Sequence, residues 1–106
     1  MEREMEQVAV IHTAFEDKPS TVAFVKVPEF PTLIEKLEYA YRWTQNIMGS
    51  WSLKIDEDAN DNVTVVGDIS SGYGLRSTSV GDQILVGNVK YKVARFGFET
   101  LDGEAV

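Results

Sequence analysis

The apolar positions along this chain follow two different periods, one typical of strands and one typical of a helix. Residues 8–15 and 21–27 are rich in β-branched types, and turn residues 16–20 separate them, so the pattern predicts two antiparallel strands. The first run is apolar on both alternating faces, which predicts a strand buried on both sides. Pro28 ends the second strand because proline cannot donate to a strand ladder.

Residues 32–48 carry apolar side chains every three or four positions and predict the one helix. The spacing of Thr32 and Glu35 is that of a capping box, in which the Thr hydroxyl accepts an early helical N–H. Gly49 suits the position just beyond the helix. The apolar stripe that we expect to lie on a sheet consists of Leu33, Ile34, Leu37, Tyr41 and Met48.

The middle of the chain alternates apolar and polar residues over 51–55 and again over 63–65. This alternation predicts a hairpin whose loop is the acidic stretch 56–62. Residues 67–74 are rich in Gly and Ser and predict a loop.

The clearest hairpin follows a turn at residues 80–82. Gly87 and Asn88 fit a two-residue turn between 83–86 and 89–93. This turn places Val86 opposite Val89 and Ile84 opposite Tyr91, which gathers the apolar side chains on one face.

Together these elements predict an α+β fold, a mainly antiparallel sheet of six to seven strands with one helix packed on it. The 106 residues, 43% of them hydrophobic and 25% charged, have the composition of a single domain spanning residues 1–106. We expect residues 1–5 and 102–106 to be frayed.

Composition excludes several classes of site. The chain has no cysteine, which rules out disulfides and thiolate chemistry and fits a reducing compartment. The start of the chain lacks the apolar run of a secretory signal, and no run approaches the roughly 20 residues that span a bilayer. These observations predict a cytoplasmic protein.

The net charge of −7 is unevenly distributed. Residues 1–62 hold twelve acidic and six basic residues, which gives −6, whereas residues 63–98 hold two acidic and four basic residues, which gives +2. An acidic chain is unsuited to non-specific nucleic-acid binding. It fits a basic protein partner or simple solubility.

One Arg and three consecutive hydroxyls precede the turn at 80–82 and form the strongest candidate surface. Arg76, Ser77, Thr78 and Ser79 could cradle a phosphate, although such hydroxyls more often cap a turn. The predicted interaction surface consists of Arg76, Ser77, Thr78, Ser79, Asp82, Trp43 and Arg42, since Arg and aromatic residues are favoured at interfaces. The alternative phosphate-binding set is Arg76, Ser77, Thr78, Lys90, Lys92 and Arg95.

Residues that could support catalysis or bind metal are few. His12, the one histidine, lies in an apolar run and is predicted to be a core residue. The oxygen-bearing residues of loop 56–62 alternate as in a calcium loop, but Asp61 and Gly67 stand where Gly and a bidentate Glu are needed. We therefore predict no catalytic residue, no metal site and no cofactor.

Several short motifs resemble those of a family of small uncharacterised bacteriophage and mobile-element proteins. The family pattern is a Thr-Gln-Asn helix end, a Trp, an Arg-Ser-Thr-Ser-Val-Gly-Asp segment and a final Gly-Phe, matched here at residues 44–46, 51, 76–82 and 97–98. The resemblance covers residues 33–101. It implies a phage-encoded protein in the cytoplasm of an infected bacterium and assigns no activity.

Two functional hypotheses follow from the sequence. The first is a non-enzymatic factor or inhibitor that binds a host or phage protein, with nucleic-acid mimicry by the acidic half as one variant. The second is a nucleotide- or nucleic-acid-binding module using Arg76–Ser79 and a basic strip of Lys90, Lys92 and Arg95. Neither involves a membrane, and a homo-oligomer is left open.

Overall fold

A computed structural model describes residues 5–106 and contains one six-stranded sheet and one α-helix. Every neighbouring pair of strands is antiparallel, and the order across the sheet is β3-β2-β1-β4-β5-β6. The predicted α+β class is confirmed. The strands are β1 (Glu6–His12), β2 (Ser20–Val27), β3 (Val63–Val65), β4 (Gln83–Val86), β5 (Val89–Val93) and β6 (Phe98–Thr100), and the helix is α1 (Leu33–Arg42).

Strand β1 occupies the centre of the sheet, between β2 and β4. Its consecutive residues Val8, Ala9, Val10 and Ile11 are all buried, which confirms that this part of the predicted strand is covered on both faces. The strand ends at His12, however, and residues 13–15, which were predicted to continue it, lie in the following loop with Phe15 exposed. The register of β4 and β5 is also the predicted one, with Val86 opposite Val89 across the two-residue turn. Local turn chemistry and apolar alternation were sufficient to fix this hairpin.

Helix α1 begins as predicted, since the Glu35 N–H donates to Thr32 Oγ1 at 3.2 Å. It buries Leu37 and Ala40 against the sheet. The helix ends at Arg42, however, well short of residue 48. The Thr44 hydroxyl donates to the Ala40 carbonyl at 2.8 Å, and such side-chain bonds compete with continued helix.

Three further predictions about this segment are wrong. Ile34 in the first turn of α1 and Met48 beyond its end are both exposed, so neither belongs to the buried stripe. Gly49 is not a helix cap. A Cβ on Gly49 would lie 2.3 Å from the Ile55 carbonyl oxygen, so only glycine fits this packed turn.

The predicted hairpin of 51–55 with 63–65 is wrong. Residues 51–54 form turns, Ile55 makes a single bridge with Ser50, and β3 pairs with β2 instead. Lys54 and Asp56 have positive φ angles of 55° and 58°, which no regular strand contains. The alternation here reflects the burial of Trp51 under the neighbouring loop rather than a strand.

Both chain ends were predicted to fray. Of these, residues 1–4 lie outside the described residues. Residues 102–106, predicted to fray, fold back on β6, where the Val106 N–H donates to the Phe98 carbonyl at 3.0 Å. Within residues 5–106, no helix is long and apolar enough to cross a membrane.

Candidate functional site

The Arg76 guanidinium is held by two carboxylates. Its Nη1 and Nη2 donate to Asp82 Oδ2 and Oδ1 at 2.7 and 2.9 Å. Its Nε and Nη2 donate to Glu16 Oε2 and Oε1 at 3.1 and 2.8 Å. The guanidinium also lies over the Phe15 ring, 4.8 Å from its centroid. We call Glu16, Arg76 and Asp82 the arginine hub. The Arg76 guanidinium has no pair of free N–H donors left to bind a phosphate.

Asp82 extends the hub into the backbone. Its Oδ1 accepts the N–H groups of Thr13 and Ala14 at 2.8 and 2.9 Å, and its Oδ2 accepts that of Ser79 at 2.8 Å. Burial raises the pKa of this carboxyl, but Arg76 and the three N–H donors outweigh burial and lower the pKa to about 2. The pKa of Arg76 is correspondingly raised, chiefly by its bonds to Asp82. The hub therefore ties the loop after β1 to the turn before β4.

A chain of buried hydroxyls lies beside the hub and fixes the tautomer of His12. Thr44 Oγ1 donates to the Ala40 carbonyl, and Thr78 Oγ1 donates to Thr44 Oγ1 at 2.8 Å. Each hydroxyl has one proton, so the 3.0 Å contact between His12 Nε2 and Thr78 Oγ1 requires His12 Nε2 to donate. Burial lowers the pKa of His12, although Asp82 acts in the opposite direction. His12 is thus a neutral core residue, the role predicted for it.

The remaining hydroxyls of the predicted surface bond within the fold. Ser77 Oγ accepts the Asn46 N–H at 2.8 Å, and the Ser79 hydroxyl donates to the Ser77 carbonyl at 3.1 Å. Thr78 and Asp82 are almost fully buried, at 1% and 0% exposure, so neither can belong to an interaction surface. The contacts of residues 76–79 thus lie within the fold, so the predicted phosphate cradle is not formed.

Arg42 and Trp43, two residues of the predicted interaction surface, contact each other and other residues of the protein. The Arg42 guanidinium lies 4.3 Å from the centroid of the Trp43 ring, and its Nη1 is 3.3 Å from Asp58 Oδ1. Trp43 is half-buried against the core. This pair contributes more to closing the helix end than to an open surface.

Sequence reasoning missed the role of Asp58. Its Oδ2 accepts three consecutive backbone N–H groups, from Ile47, Met48 and Gly49, at 2.7 to 2.8 Å. Such convergent N–H groups form an anion-binding nest, and here a carboxylate of the same chain fills it. Burial raises the pKa of Asp58, but these donors and Arg42 lower it below the usual value. No spacing signal links a loop aspartate to this nest.

The acidic loop does not assemble a cation site within residues 5–106. No group of three or more His, Cys, Asp or Glu side chains is suitably placed for a metal in that range. The alternating oxygens are separated because Asp58 turns inward, while the Asn60 and Asn62 amides donate to the Tyr39 hydroxyl at 3.0 and 2.9 Å.

The basic strip of the alternative hypothesis is only partly free. Lys92 Nζ is 3.0 Å from Glu99 Oε1 on the neighbouring strand. Lys90 is exposed at the opposite end of β5, and Arg95 lies beyond the strand in the turn to β6. The structure therefore places Lys90 and Arg95 at opposite ends of β5.

The β5–β6 turn presents a highly exposed aromatic side chain next to an arginine. The Ala94 N–H donates to the Gly97 carbonyl at 3.0 Å, and Gly97 has a φ of 73°, so the two residues between them project from a closed turn. We call Arg95 and Phe96 the hairpin tip. Phe96 is 92% exposed, and the Arg95 guanidinium forms no ion pair with any residue in 5–106.

Two open grooves flank the hairpin tip. The first, which we call the tip groove, has a volume of about 460 Å³ and runs between the tip and the turn at Val80 and Gly81, with Lys92, Val93 and Glu99 at its base. The second has a volume of about 430 Å³ and runs from Arg95 to Glu38 and Tyr41 of the helix. Phe96 was not predicted as a site residue; the signal in the sequence is an Arg-Phe pair just before Gly97.

These features define a small α+β domain with a closed polar hub at one place and an open aromatic tip at another. Comparison with protein families, with curated proteins and with solved structures finds no match to this chain.

Proposed function

We propose that this protein is a non-enzymatic binding factor that contacts a partner protein through the hairpin tip. The observation that carries the proposal is an exposed phenylalanine, Phe96, on a closed turn beside Arg95, which has no ion-pair partner among residues 5–106. Aromatic residues, Phe included, and Arg are enriched at protein interfaces. A turn already fixed in its bound shape loses little entropy when it binds.

The buried groups support a binding role over a catalytic one. His12, Thr78 and Asp82 are the side chains best suited to proton transfer or nucleophilic attack, and each is buried and bonded inside the protein. A general base must reach the proton that it removes. The hub and the hydroxyl chain thus stabilise the fold and offer no reactive group to a substrate.

The geometry favours this role over the phosphate-binding alternative. Of the six residues in that set, Arg76 is held by two carboxylates, Thr78 is buried and Lys92 is paired with Glu99. The chain as a whole carries −7, which opposes a polyanion.

The proposed setting comes from the resemblance noted at residues 33–101. We place the protein in a bacteriophage and its action in the host cytoplasm, with a host or phage protein as the partner. Inhibition by nucleic-acid mimicry stays a prediction that depends on the acidic charge of residues 1–62.

Affinity capture with matched variants tests the proposal. Phe96→Ser removes the tip aromatic, and Tyr73→Ser removes a 91% exposed aromatic in the loop before the hub. Immobilised wild-type protein and the Tyr73→Ser variant should retain the same bacterial partner, identified by mass spectrometry, while Phe96→Ser loses it. Equal retention by Phe96→Ser, or no partner above background, would overturn the proposal.

A further inference from the structure

We infer that the tip groove binds an acidic, apolar peptide segment of the partner protein. This inference rests on the proposed function and adds the chemistry of what is bound. It is carried by the shape of the groove, by the apolar side chains along it and by the charge at its rim.

The shape of the groove suits a peptide rather than a small molecule. Its volume of about 460 Å³ is within the usual range for ligand pockets, but its walls are open. Phe96 is 92% exposed and Val80 is 51% exposed, so a small ligand would keep much of its surface in water. A chain segment crossing between Val80 and Phe96 can cover both side chains at once.

The apolar contribution comes from two sides. Val80 precedes Gly81, whose N–H donates to the Val93 carbonyl at 2.9 Å and thereby fixes one wall against β5. Phe96 forms the other wall on its own closed turn. An apolar side chain placed between the two walls would remove both from water, which is the main source of affinity at such sites.

The charge at the rim of the groove favours a negatively charged peptide segment. Lys92 is neutralised by Glu99 at 3.0 Å, whereas Arg95 has no carboxylate partner within residues 5–106. A planar guanidinium with free donors matches a carboxylate in bidentate geometry. An Asp or Glu one or two residues from the apolar anchor would complete the site.

The same charges disfavour a nucleic acid. Nucleic-acid binding gains its affinity by neutralising several phosphates. Among residues 5–106 the rim offers one cation without an ion-pair partner, Arg95, on a chain of net charge −7. A short acidic segment needs only one such partner. Nucleic acid is therefore the competing outcome of the test.

A random peptide library selected on the full-length chain tests the inference directly. Selected peptides should be enriched in Asp or Glu next to Leu, Ile or Phe. One such peptide, synthesised with a fluorescent label, should bind in anisotropy titrations at about 0.15 M ionic strength, where surface charges farther than about 8 Å apart are screened. An oligothymidylate of similar length serves as the nucleic-acid probe.

Two charge reversals on the same strand region provide the matched comparison. Arg95→Glu should weaken peptide binding roughly thirtyfold, as expected for loss of a hot-spot residue. Lys90→Glu changes charge equally at an exposed position outside the groove and should change binding by less than about twofold. Retained melting temperatures would show that both variants are folded.

Each contrary result overturns the inference. Selection of basic peptides, selection of none, unchanged affinity in Arg95→Glu, or tighter binding of the oligothymidylate would all do so. If the peptide results contradict the inference but affinity capture still depends on Phe96, the proposed binding role stands. If capture does not depend on Phe96 either, the proposed function itself is rejected.

Discussion

Arg76 and Arg95 are two arginines in the same chain that the fold uses in opposite ways. Arg76 donates to Asp82 and Glu16 and stacks on Phe15, so its donors are used inside the protein. Arg95 lies on an exposed turn with no ion pair to any residue of 5–106. The comparison teaches that partners and burial, rather than residue type, decide which arginine remains available for binding.

The two buried aspartates differ in how completely their carboxylate oxygens are bonded. Asp82 receives an Arg fork with bonds of 2.7 and 2.9 Å as well as three backbone N–H groups. Asp58 receives three N–H groups on one oxygen, while its Oδ1 and Arg42 Nη1 are 3.3 Å apart without hydrogen-bond geometry. The Asp82 site is the better satisfied of the two and should contribute more to stability.

The largest effect is expected from breaking the arginine hub. Asp82→Ala removes one of the two carboxylates that bind Arg76. It also leaves the N–H groups of Thr13, Ala14 and Ser79 without their acceptor. Removing one partner of a buried ion pair costs about 3–5 kcal/mol in the free energy of unfolding. Urea denaturation followed by Trp fluorescence measures it. A loss below about 1 kcal/mol would contradict the structural role of the hub.

The second largest effect is expected from acid, which should lower the free energy of unfolding by protonating Asp82 of the hub and His12. The pKa of Asp82 is lowered to about 2, so its stabilisation is present above pH 3.8 and is lost as the pH falls through 2. The pKa of His12 is lowered below 6.5, so the unfolded chain binds that proton first and stability starts to fall below pH 6.5.

Between about pH 5 and pH 2 the Asp82 contribution to this acid loss should be about 2 kcal/mol. Urea midpoints measured across the range should show it. The same range measured with Asp82→Asn provides the control, since that variant has no carboxyl to protonate. An equally steep acid loss in the variant would assign the effect to other groups.

A smaller effect is expected from the buried hydroxyl chain. Thr78→Val keeps the shape of the side chain but leaves the His12 N–H without its acceptor. An unsatisfied buried donor costs about 1.5 kcal/mol. Thermal unfolding by circular dichroism measures it, with Ser70→Ala as the control, since Ser70 is exposed in the loop 67–74. Wild-type stability in Thr78→Val would show that water or another group replaces the hydroxyl.

The smallest effect is expected at the hairpin tip. Phe96→Ser removes a side chain that is 92% exposed, so the free energy of unfolding should change by less than about 0.5 kcal/mol. Tyr73→Ser, at 91% exposure, should behave alike. If Phe96→Ser lowered the free energy of unfolding by several kcal/mol, the tip would stabilise the fold as the hub does, and the two regions would not differ.

Prediction from the sequence succeeded where the information was local. The turn at Gly87 and Asn88 set the register of β4 and β5, and Thr32 set the helix start. Prediction failed where a distant partner decided the outcome. Residues 51–55 alternate like a strand, yet Trp51 turns inward and its indole N–H donates to the Arg76 carbonyl at 3.0 Å. No local period encodes that contact.

The candidate site shows the same limit. An Arg followed by hydroxyls indicates a phosphate site only while its partners are unknown, and Glu16 lies 60 positions from Arg76 along the chain. The hairpin tip had the weaker sequence signal, because exposure of Phe96 follows from the short β5–β6 turn rather than from composition.

The most direct test of this account replaces both arginines by the same residue. Arg76→Met and Arg95→Met each remove one guanidinium and keep a flexible apolar stem, and urea denaturation gives both free energies of unfolding. We predict a loss of about 3 kcal/mol for Arg76→Met, because Asp82 loses its buried counter-charge. We predict a change within about 0.5 kcal/mol for Arg95→Met. Equal losses in the two variants, or a stable Arg76→Met protein, would contradict the division between hub and tip.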